Sequence, residues 1–560
     1  MDIEYIQNRE IVLYKIGKFQ RDVELFFPDL RVVAYIDDNP ENQFDVLNGK
    51  RVLRGQTDRE FLNGKLVIVC SFEEIGHEDF FRALGLAYGR DFIWGNDLIE
   101  SIDSIDKKKD PINEAFLAQK RIIVFGAGGT AERFNMQYHN IDVEFYVDND
   151  DKKWGLKYNG KPIRNPDILL SLNISEYLII VAIGMSAIFD AQLQLEKMGF
   201  RHGTDFVYFV PDNGRRTKMS ALLRKTIEDE PITDLVCTRP FNSFVTIGYN
   251  GEVDLCCRSF LDLSPGSLLT SDMRDINNSV CARLIRLSIL NGTYSYCNKS
   301  LCLRLHDPVK ERDPDFRRME DFPDVNFSID IDEKYLLVNL GHDSACNLSC
   351  PSCRNDRSVN WIKDDRRTKF MHDKILRDII PHTRLLSVAS NGDPFFSDYY
   401  REIIFDKFTG PGIRIQTNGM LFNKSNWLKL KDKYQSIKVF ISVDAATDAT
   451  YGKIRGGSYQ QLMRNMEFAS ELRKKEEIAF FSISFVIQRG NFTEMPDFVE
   501  MGILLGADYI VFQRFLNMGH LTDEEHLAQD VVDERNPHHD EFLEILGNPL
   551  FKSDKVVLGF

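Results

Sequence analysis

The feature that most constrains the fold is a duplication within the first two hundred residues. Ile11-Val-Leu-Tyr-Lys-Ile-Gly17 aligns with Ile122-Ile-Val-Phe-Gly-Ala-Gly128, Tyr35-Ile-Asp37-Asp38 with Tyr146-Val-Asp148-Asn149, and Asn48-Gly49-Lys50 with Asn159-Gly160-Lys161, each pair 111 residues apart. Leu66-Val-Ile-Val69 then matches Leu178-Ile-Ile-Val181, and Gly89-Arg-Asp-Phe92 matches Gly203-Thr-Asp-Phe206, at offsets that drift as small insertions would make them. Landmarks recurring at one domain-sized offset mean tandem copies of one unit. Two related domains, 1–105 and 106–212, are expected.

Each copy reads as a strand, a glycine-containing turn, a helix, a second strand ending in an acidic residue and a further apolar strand. That alternation predicts a parallel sheet with helices on its faces, a Rossmann-like α/β arrangement. In the second copy Gly126-Ala-Gly128-Gly129 follows the strand Ile122 to Phe125, where backbone amides can approach a phosphate and Asp148 can take a ribose hydroxyl. The first copy has Tyr14-Lys-Ile-Gly17 there, and both lack the third glycine of the fingerprint. Glycines serving only the tight turn are an equal reading. Residues 5 to 212 resemble the small Rossmann-like modules attached to enzymes of surface-sugar biosynthesis.

A chain of 560 residues exceeds one hydrophobic core, and roughly three or four domains are expected. The formal charge of -15 opposes a nucleic-acid partner, because such binding rests on clustered Lys and Arg. With no signal-like start and no long apolar run, a cytoplasmic protein without a membrane partner is expected. Nine of the ten cysteines lie between Cys237 and Cys353, and in a reducing compartment close cysteines read as metal ligands.

Pro211-Asp-Asn-Gly214 and Arg215-Arg-Thr-Lys218 break the α/β rhythm and mark a boundary. After a cysteine-rich stretch, 213–325, six apolar strands alternate with amphipathic segments: Tyr335 to Leu340, Leu385 to Ala389, Ile413 to Thr417, Val439 to Val443, Phe481 to Ile487 and Tyr509 to Phe512. This predicts a partial (β/α)6 TIM-type barrel over 326–560. Directly after its first strand comes Cys346-Asn-Leu-Ser-Cys350-Pro-Ser-Cys353, at the strand end where barrels place reactive groups. Three thiolates on one short loop suit three irons of a [4Fe-4S] cube, the fourth iron staying open; structural zinc wants four closed ligands.

The loop and the strands behind it resemble the radical SAM superfamily over roughly residues 330 to 520. The resemblance implies that Cys346, Cys350 and Cys353 hold a [4Fe-4S] cluster whose open iron chelates S-adenosyl-L-methionine. An electron, from an external donor such as flavodoxin or ferredoxin, then cleaves the sulfonium to methionine and a 5'-deoxyadenosyl radical that abstracts hydrogen from substrate. Asn391-Gly392-Asp393-Pro394 is similar to the family's Gly-Gly-Glu-Pro segment, departing at two of four positions. Thr417-Asn418-Gly419, and Ser442 and Asp444 within Ile441-Ser-Val-Asp-Ala445, fall where ribose and carboxylate contacts lie; Tyr451-Gly-Lys-Ile-Arg455-Gly456-Gly457 matches the family's Arg-Gly segment. Ile487 and Val511 are expected near adenine. Ser352 replaces the usual aromatic before the last cysteine, so that adenine contact comes from elsewhere.

Upstream lie Cys237, Cys256, Cys257, Cys281, Cys297 and Cys302. Cys237-x13-Gly251-x4-Cys256 predicts a hairpin turning at Gly251 between Phe244 to Ile247 and Val253 to Leu255. Cys281 reads as a small buried helix residue and Cys257 as facing away. The pattern resembles a SPASM or twitch domain, which implies a second, auxiliary [4Fe-4S] cluster on Cys237, Cys256, Cys297 and Cys302; spacing alone leaves a four-cysteine zinc site open. In the family this domain follows the barrel, whereas here it precedes it.

An oxidoreductase is expected, performing a two-electron oxidation of a carbohydrate-type small substrate with the auxiliary cluster taking the second electron. The rivals are a radical SAM/SPASM peptide maturase, with a precursor peptide as partner, and a non-catalytic scaffold on a degenerate fold.

Overall fold

The computed structural model describes residues 3–37, 39, 45–53, 59–71, 78–108, 120–138, 141–183, 185–201, 204–209, 219–249, 251–256, 260–261, 263–299, 302–306, 316–332, 334–353, 366–388, 391–516 and 521–559. The boundary at Pro211 to Lys218 and Cys257 lie outside them. The chain forms two compact units, one of Met1–Val236, Asn278–Tyr296 and Arg318–Asp330, the other of Cys237–Asn277, Cys297–Arg317 and Ile331–Phe560. The segment 213–325, expected as one domain, is divided between them.

The first unit holds two six-stranded sheets. One is built from β1 (Glu10–Tyr14), β2 (Arg31–Ile36), β3 (Val46–Leu47), β4 (Lys50–Leu53), β5 (Leu66–Val69) and β6 (Phe92–Trp94) in the order β3-β4-β2-β1-β5-β6. The other uses β7 (Arg121–Phe125), β8 (Val143–Val147), β9 (Lys157–Tyr158), β10 (Lys161–Arg164), β11 (Tyr177–Val181) and β12 (Phe206–Tyr208) in the order β9-β10-β8-β7-β11-β12. The two orders are one topology. Even the break in register recurs, between Ile11 and Val12 in one copy and Ile122 and Ile123 in the other. The continuous apolar runs of β5 and β11 are buried throughout, as strands covered on both faces must be. The repeated Asn-Gly landmark is the two-residue turn of an antiparallel hairpin in each copy, with Asn48 and Gly49 at φ 50° and 71° and Asn159 and Gly160 at φ 46° and 78°.

The helix Val280–Leu290 also belongs to this unit. Its first turn is capped by Ser279, whose hydroxyl accepts from Ala282 N at 3.2 Å. Asn291 donates to the buried Asp22 carboxylate at 3.0 Å, and the Arg283 guanidinium lies over the Phe26 ring at 4.8 Å. Cys281 sits on this helix, half-buried, with its sulfur 3.9 Å from Met219 Sδ.

In the second unit Cys237 lies in a two-stranded sheet of β13 (Val236–Cys237) and β17 (Phe316–Arg317). The main sheet has ten strands: β14 (Phe244–Ile247), β15 (Glu252–Asp254), β16 (Gly266–Ser267), β18 (Tyr335–Leu340), β19 (Thr383–Val388), β20 (Gly412–Thr417), β21 (Ser436–Ser442), β22 (Phe480–Ile487), β23 (Tyr509–Arg514) and β24 (Val556–Gly559). Their order is β16-β15-β14-β18-β19-β20-β21-β22-β23-β24. From β18 to β24 neighbours follow chain order and run parallel, so all six expected strands are present and β24 adds a seventh. Helices including Arg366–Lys374, Lys424–Leu430, Tyr459–Lys474 and Met495–Leu504 connect them. The expected hairpin forms around Gly251, and its first strand, β14, pairs parallel with β18. Parallel α/β sheets gather their ligand-facing loops beyond the carboxyl ends of the strands, which is where the cysteine loop leaves β18.

Candidate functional site

The base of the cysteine loop is fixed by buried polar groups. After β18, Gly341 N donates to Ile247 O at 2.7 Å. The Asp343 carboxylate accepts from Ala345 N at 3.1 Å and from the Ser397 hydroxyl. The Tyr400 hydroxyl accepts from Asp343 N at 3.0 Å and faces the carbonyls of Asp343 and Asn391 at 2.9 and 3.1 Å. One tyrosine thereby ties the loop after β18 to the loop after β19. Their approach is close: Gly392 sits at φ 73°, and a Cβ there would lie 2.7 Å from Asp343 O and 2.8 Å from Ala345 O.

Two of the three sulfurs have N–H donors, from the loop itself, from just past β20 and from the end of the helix Asp448–Ile454. Cys346 Sγ accepts from Leu348 N at 3.4 Å and from Asn418 Nδ2, just past β20, at 3.5 Å. The Cys350 thiol donates to the Arg455 carbonyl at 3.6 Å, and Arg455 Nη1 lies 3.8 Å from the same sulfur. Cys353 is exposed. Burial pushes the Cys346 thiol up to about 11, helped by the nearby Asp393 carboxylate. Burial also raises Cys350, and the Arg455 cation opposes it. Among the described residues no three His, Cys, Asp or Glu side chains are gathered so as to hold a metal ion. In donor chemistry the loop nonetheless fits an iron–sulfur cluster: three cysteine sulfurs and no competing carboxylate on one loop, with N–H groups aimed at two of them.

The other expected contacts sit on adjoining loops. Asn391 and Gly392 are half-buried, Asp393 and Pro394 buried. Asp393 turns its carboxylate inward, accepting from Phe395 N at 3.0 Å, Thr417 Oγ1 at 2.7 Å and Asn418 N at 3.0 Å. Burial lifts its carboxyl above the usual range against those donors. Asp444, at φ 62°, accepts from Val486 N at 2.8 Å and pairs with Arg455 at 3.3 Å. Arg455 Nη2 donates to Ser442 O at 2.6 Å. Ser442 is half-buried, Ile487 fully buried at the end of β22, and Val511 half-buried on β23. The loops after β18, β19, β20 and β21 therefore meet, and β22 joins them through Val486 N; Ile487 and Val511 stay on their strands.

In the second cysteine set Cys237 is buried and Cys256, Cys297 and Cys302 are half-buried. Burial raises the Cys237 thiol to about 12; the Arg304 cation opposes this and Cys256 adds to it, so these three groups share a neighbourhood. Cys297 forms a bridge with Leu261, five residues beyond Cys256, and Cys302 N donates to Asn298 O at 2.9 Å. The hairpin thus brings Cys237 and Cys256 within electrostatic reach.

Sequence reasoning placed Asn418 and Arg455 in motif segments but gave neither a role at a sulfur, and it missed Ser397 and Tyr400. The available signal was position: Asn418 falls one residue after a strand, at the same end of the sheet as the cysteines.

No protein-family model matches this chain, and no curated protein matches it. Solved structures resemble it at low identity. Streptococcus suis SuiB bound to S-adenosylmethionine is 14% identical over 40% of this chain and 47% of its own, with a TM-score of 0.27. TYW1 with a lysine-pyruvate adduct is 17% identical over 39% and 71%, TM-score 0.24, and anSMEcpe with bound AdoMet and Cp18Cys peptide is 18% identical over 34% and 56%, TM-score 0.23. The chain spans about half the length of SuiB. No helix among the described residues is long and apolar enough to cross a membrane.

Proposed function

We propose that the second unit is a radical SAM enzyme, with Cys346, Cys350 and Cys353 as ligands of a [4Fe-4S] cluster and the loops beyond β19 to β23 as the S-adenosyl-L-methionine site. The observation that supports this best is the meeting of the loops after three consecutive parallel strands, β19 to β21, on the three-cysteine loop after β18, with Asn418 and Arg455 serving its sulfurs. Bound there, the cluster would supply one-electron reductive cleavage of the sulfonium, and hence a radical that abstracts hydrogen from substrate. The chain's own residues prepare the setting. Asp343, Ser397 and Tyr400 fix where the cysteine loop begins, while Gly392 lets the Asn391 to Pro394 backbone come up against it. Arg455, paired with Asp444, sits beside Cys350 and opposes the rise that burial gives its thiol. The segments at Asn391, Gly392, Asp393, Pro394, Ser442, Asp444, Ile487 and Val511 are assigned to the methionine, ribose and adenine parts.

Cys237, Cys256, Cys297 and Cys302 are assigned to an auxiliary [4Fe-4S] cluster. The reaction assigned is a two-electron oxidation of a carbohydrate-type substrate, recognised through the first unit.

Anaerobically reconstituted full-length protein with dithionite and S-adenosyl-L-methionine should release 5'-deoxyadenosine, and replacing Cys346, Cys350 and Cys353 by Ala should abolish it. Undiminished release from the triple variant would sink the assignment. That variant should keep about four irons per chain if the other four cysteines hold a cluster; zinc, or no metal, would refute the auxiliary site alone.

A further inference from the structure

We propose that Asn418 is a positioning residue that sets the reduction potential of the cluster on the cysteine loop, a reading that rests on the function proposed above. The residue is 7% exposed, and its side chain has only one permissible orientation. Oδ1 accepts from Met420 N at 3.0 Å, and a backbone N–H can only donate, so the carbonyl must face it. Nδ2 then faces the loop, with one hydrogen for Asn347 Oδ1 at 2.8 Å and one for Cys346 Sγ at 3.5 Å. Both N–H groups are used, and the one aimed at sulfur is fixed by the chain and not by a free rotamer.

The backbone beneath it is equally constrained. Asp393, fully buried, accepts from Asn418 N and from the Thr417 hydroxyl, and its own N–H donates to Ala345 O at 2.9 Å, one residue before Cys346. Asp393 therefore joins both sides of the Asn418–Cys346 contact. The Asn391-Gly392-Asp393-Pro394 loop thus has a second task besides meeting a ligand through its backbone: its carboxylate holds the donor in place.

Reduction adds one negative charge to a cluster, and part of it is carried by the thiolate sulfurs. A fixed N–H at such a sulfur stabilises the reduced form more than the oxidised form and raises the potential. Removing it makes reduction harder.

The test is redox titration of reconstituted full-length protein, followed by electron paramagnetic resonance on the signal that changes when S-adenosyl-L-methionine is added, which singles out this cluster from the auxiliary one. Asn418→Ala removes the donor without adding charge. The reduction equilibrium should fall roughly tenfold, about 59 mV for one electron. Asn418→Asp, which keeps the acceptor for Met420 N, should fall at least as far. If neither variant retains the cluster while far-ultraviolet circular dichroism is unchanged, Asn418 holds the cysteine loop in place and does not tune a potential, which overturns the proposal. An unchanged potential at full cluster occupancy overturns the proposal and leaves the proposed function intact. Wild-type protein with no S-adenosyl-L-methionine-sensitive signal defeats both.

Discussion

Gly392 and Gly456 form a matched pair for testing how tightly the loop after β19 packs on the cysteine loop. Both occupy the left-handed region, at φ 73° and 75°. Placing an L-residue there costs about 1–2 kcal/mol. At Gly456 a Cβ meets nothing within 4 Å, so Gly456→Ala should cost that amount and little more. At Gly392 the same atom would lie 2.7 and 2.8 Å from two backbone oxygens that cannot swing aside. Overpacking of this kind adds about 1–3 kcal/mol, for a total near 3–4 kcal/mol. The chain has two units and need not unfold in one step, so hydrogen exchange of the β19 and β20 amides is a better readout than one melting temperature. Gly392→Ala should speed that exchange by a few hundredfold and Gly456→Ala by about tenfold, since each 1.4 kcal/mol is a factor of about ten. Equal acceleration by the two variants would refute the close approach of Gly392 to Asp343 and Ala345.

Two further expectations concern single groups. His342 is fully buried, stacks on His372 at 5.7 Å, meets the Tyr400 ring edge-on at 5.1 Å, and has no hydrogen-bond partner at either ring nitrogen among the described residues. Burial, and then His372, lowers it to about 3 against about 6.5 when unfolded, so stability is whole above about pH 6.5 and is lost as pH falls toward 3, by up to about 1.4 kcal/mol per pH unit. His342→Leu should flatten the difference between urea midpoints at pH 7 and pH 5; an unchanged difference would assign the acid sensitivity to other groups. Deleting residues 1–212 should strip the partners from the helix Val280–Leu290, whose Leu284, Ile285, Leu287 and Ile289 are buried, and from Asn291, which bonds Asp22. The shortened protein should aggregate or bind a hydrophobic dye, and a monodisperse, dye-silent product would show that this helix folds without the repeats.

The regular part of the fold was legible because periodicity and turn chemistry act locally. Asn48-Gly49 and Asn159-Gly160 announce hairpin turns by their own backbone preference, and the strands from Tyr335 to Phe512 announce themselves by apolar runs between polar breaks. The division of 213–325 was not legible, because it depends on where side chains distant in sequence meet. Arg286 shows why: a charged residue within a mostly apolar helix, it is fully buried, its Nη1 bonded to Ile329 O at 2.9 Å, and burial holds it down to about 9. The cysteine loop could be read from spacing alone. Its donors could not, because Asn418 is 72 residues from Cys346 and Arg455 is 105 from Cys350.

The sheet order ties the two cysteine sets together. An auxiliary site in a separately folded domain would hang on a linker, and its spacing from the first would be set by domain motion. Here β14, the first strand of the hairpin between Cys237 and Cys256, pairs directly with β18, residue for residue from Phe244 on Leu337 to Ile247 on Leu340. The register continues one step further, where Gly341 N donates to Ile247 O on the way into the loop that carries Cys346. Both sets therefore belong to one compact unit, and the hairpin between Cys237 and Cys256 pairs with the strand that leads to Cys346. Any displacement of the hairpin must break ladder hydrogen bonds of β18, and buried ladder bonds are costly to leave unmade. The order of the two segments along the chain, with the cysteine-rich one first, thus imposes no freedom between them.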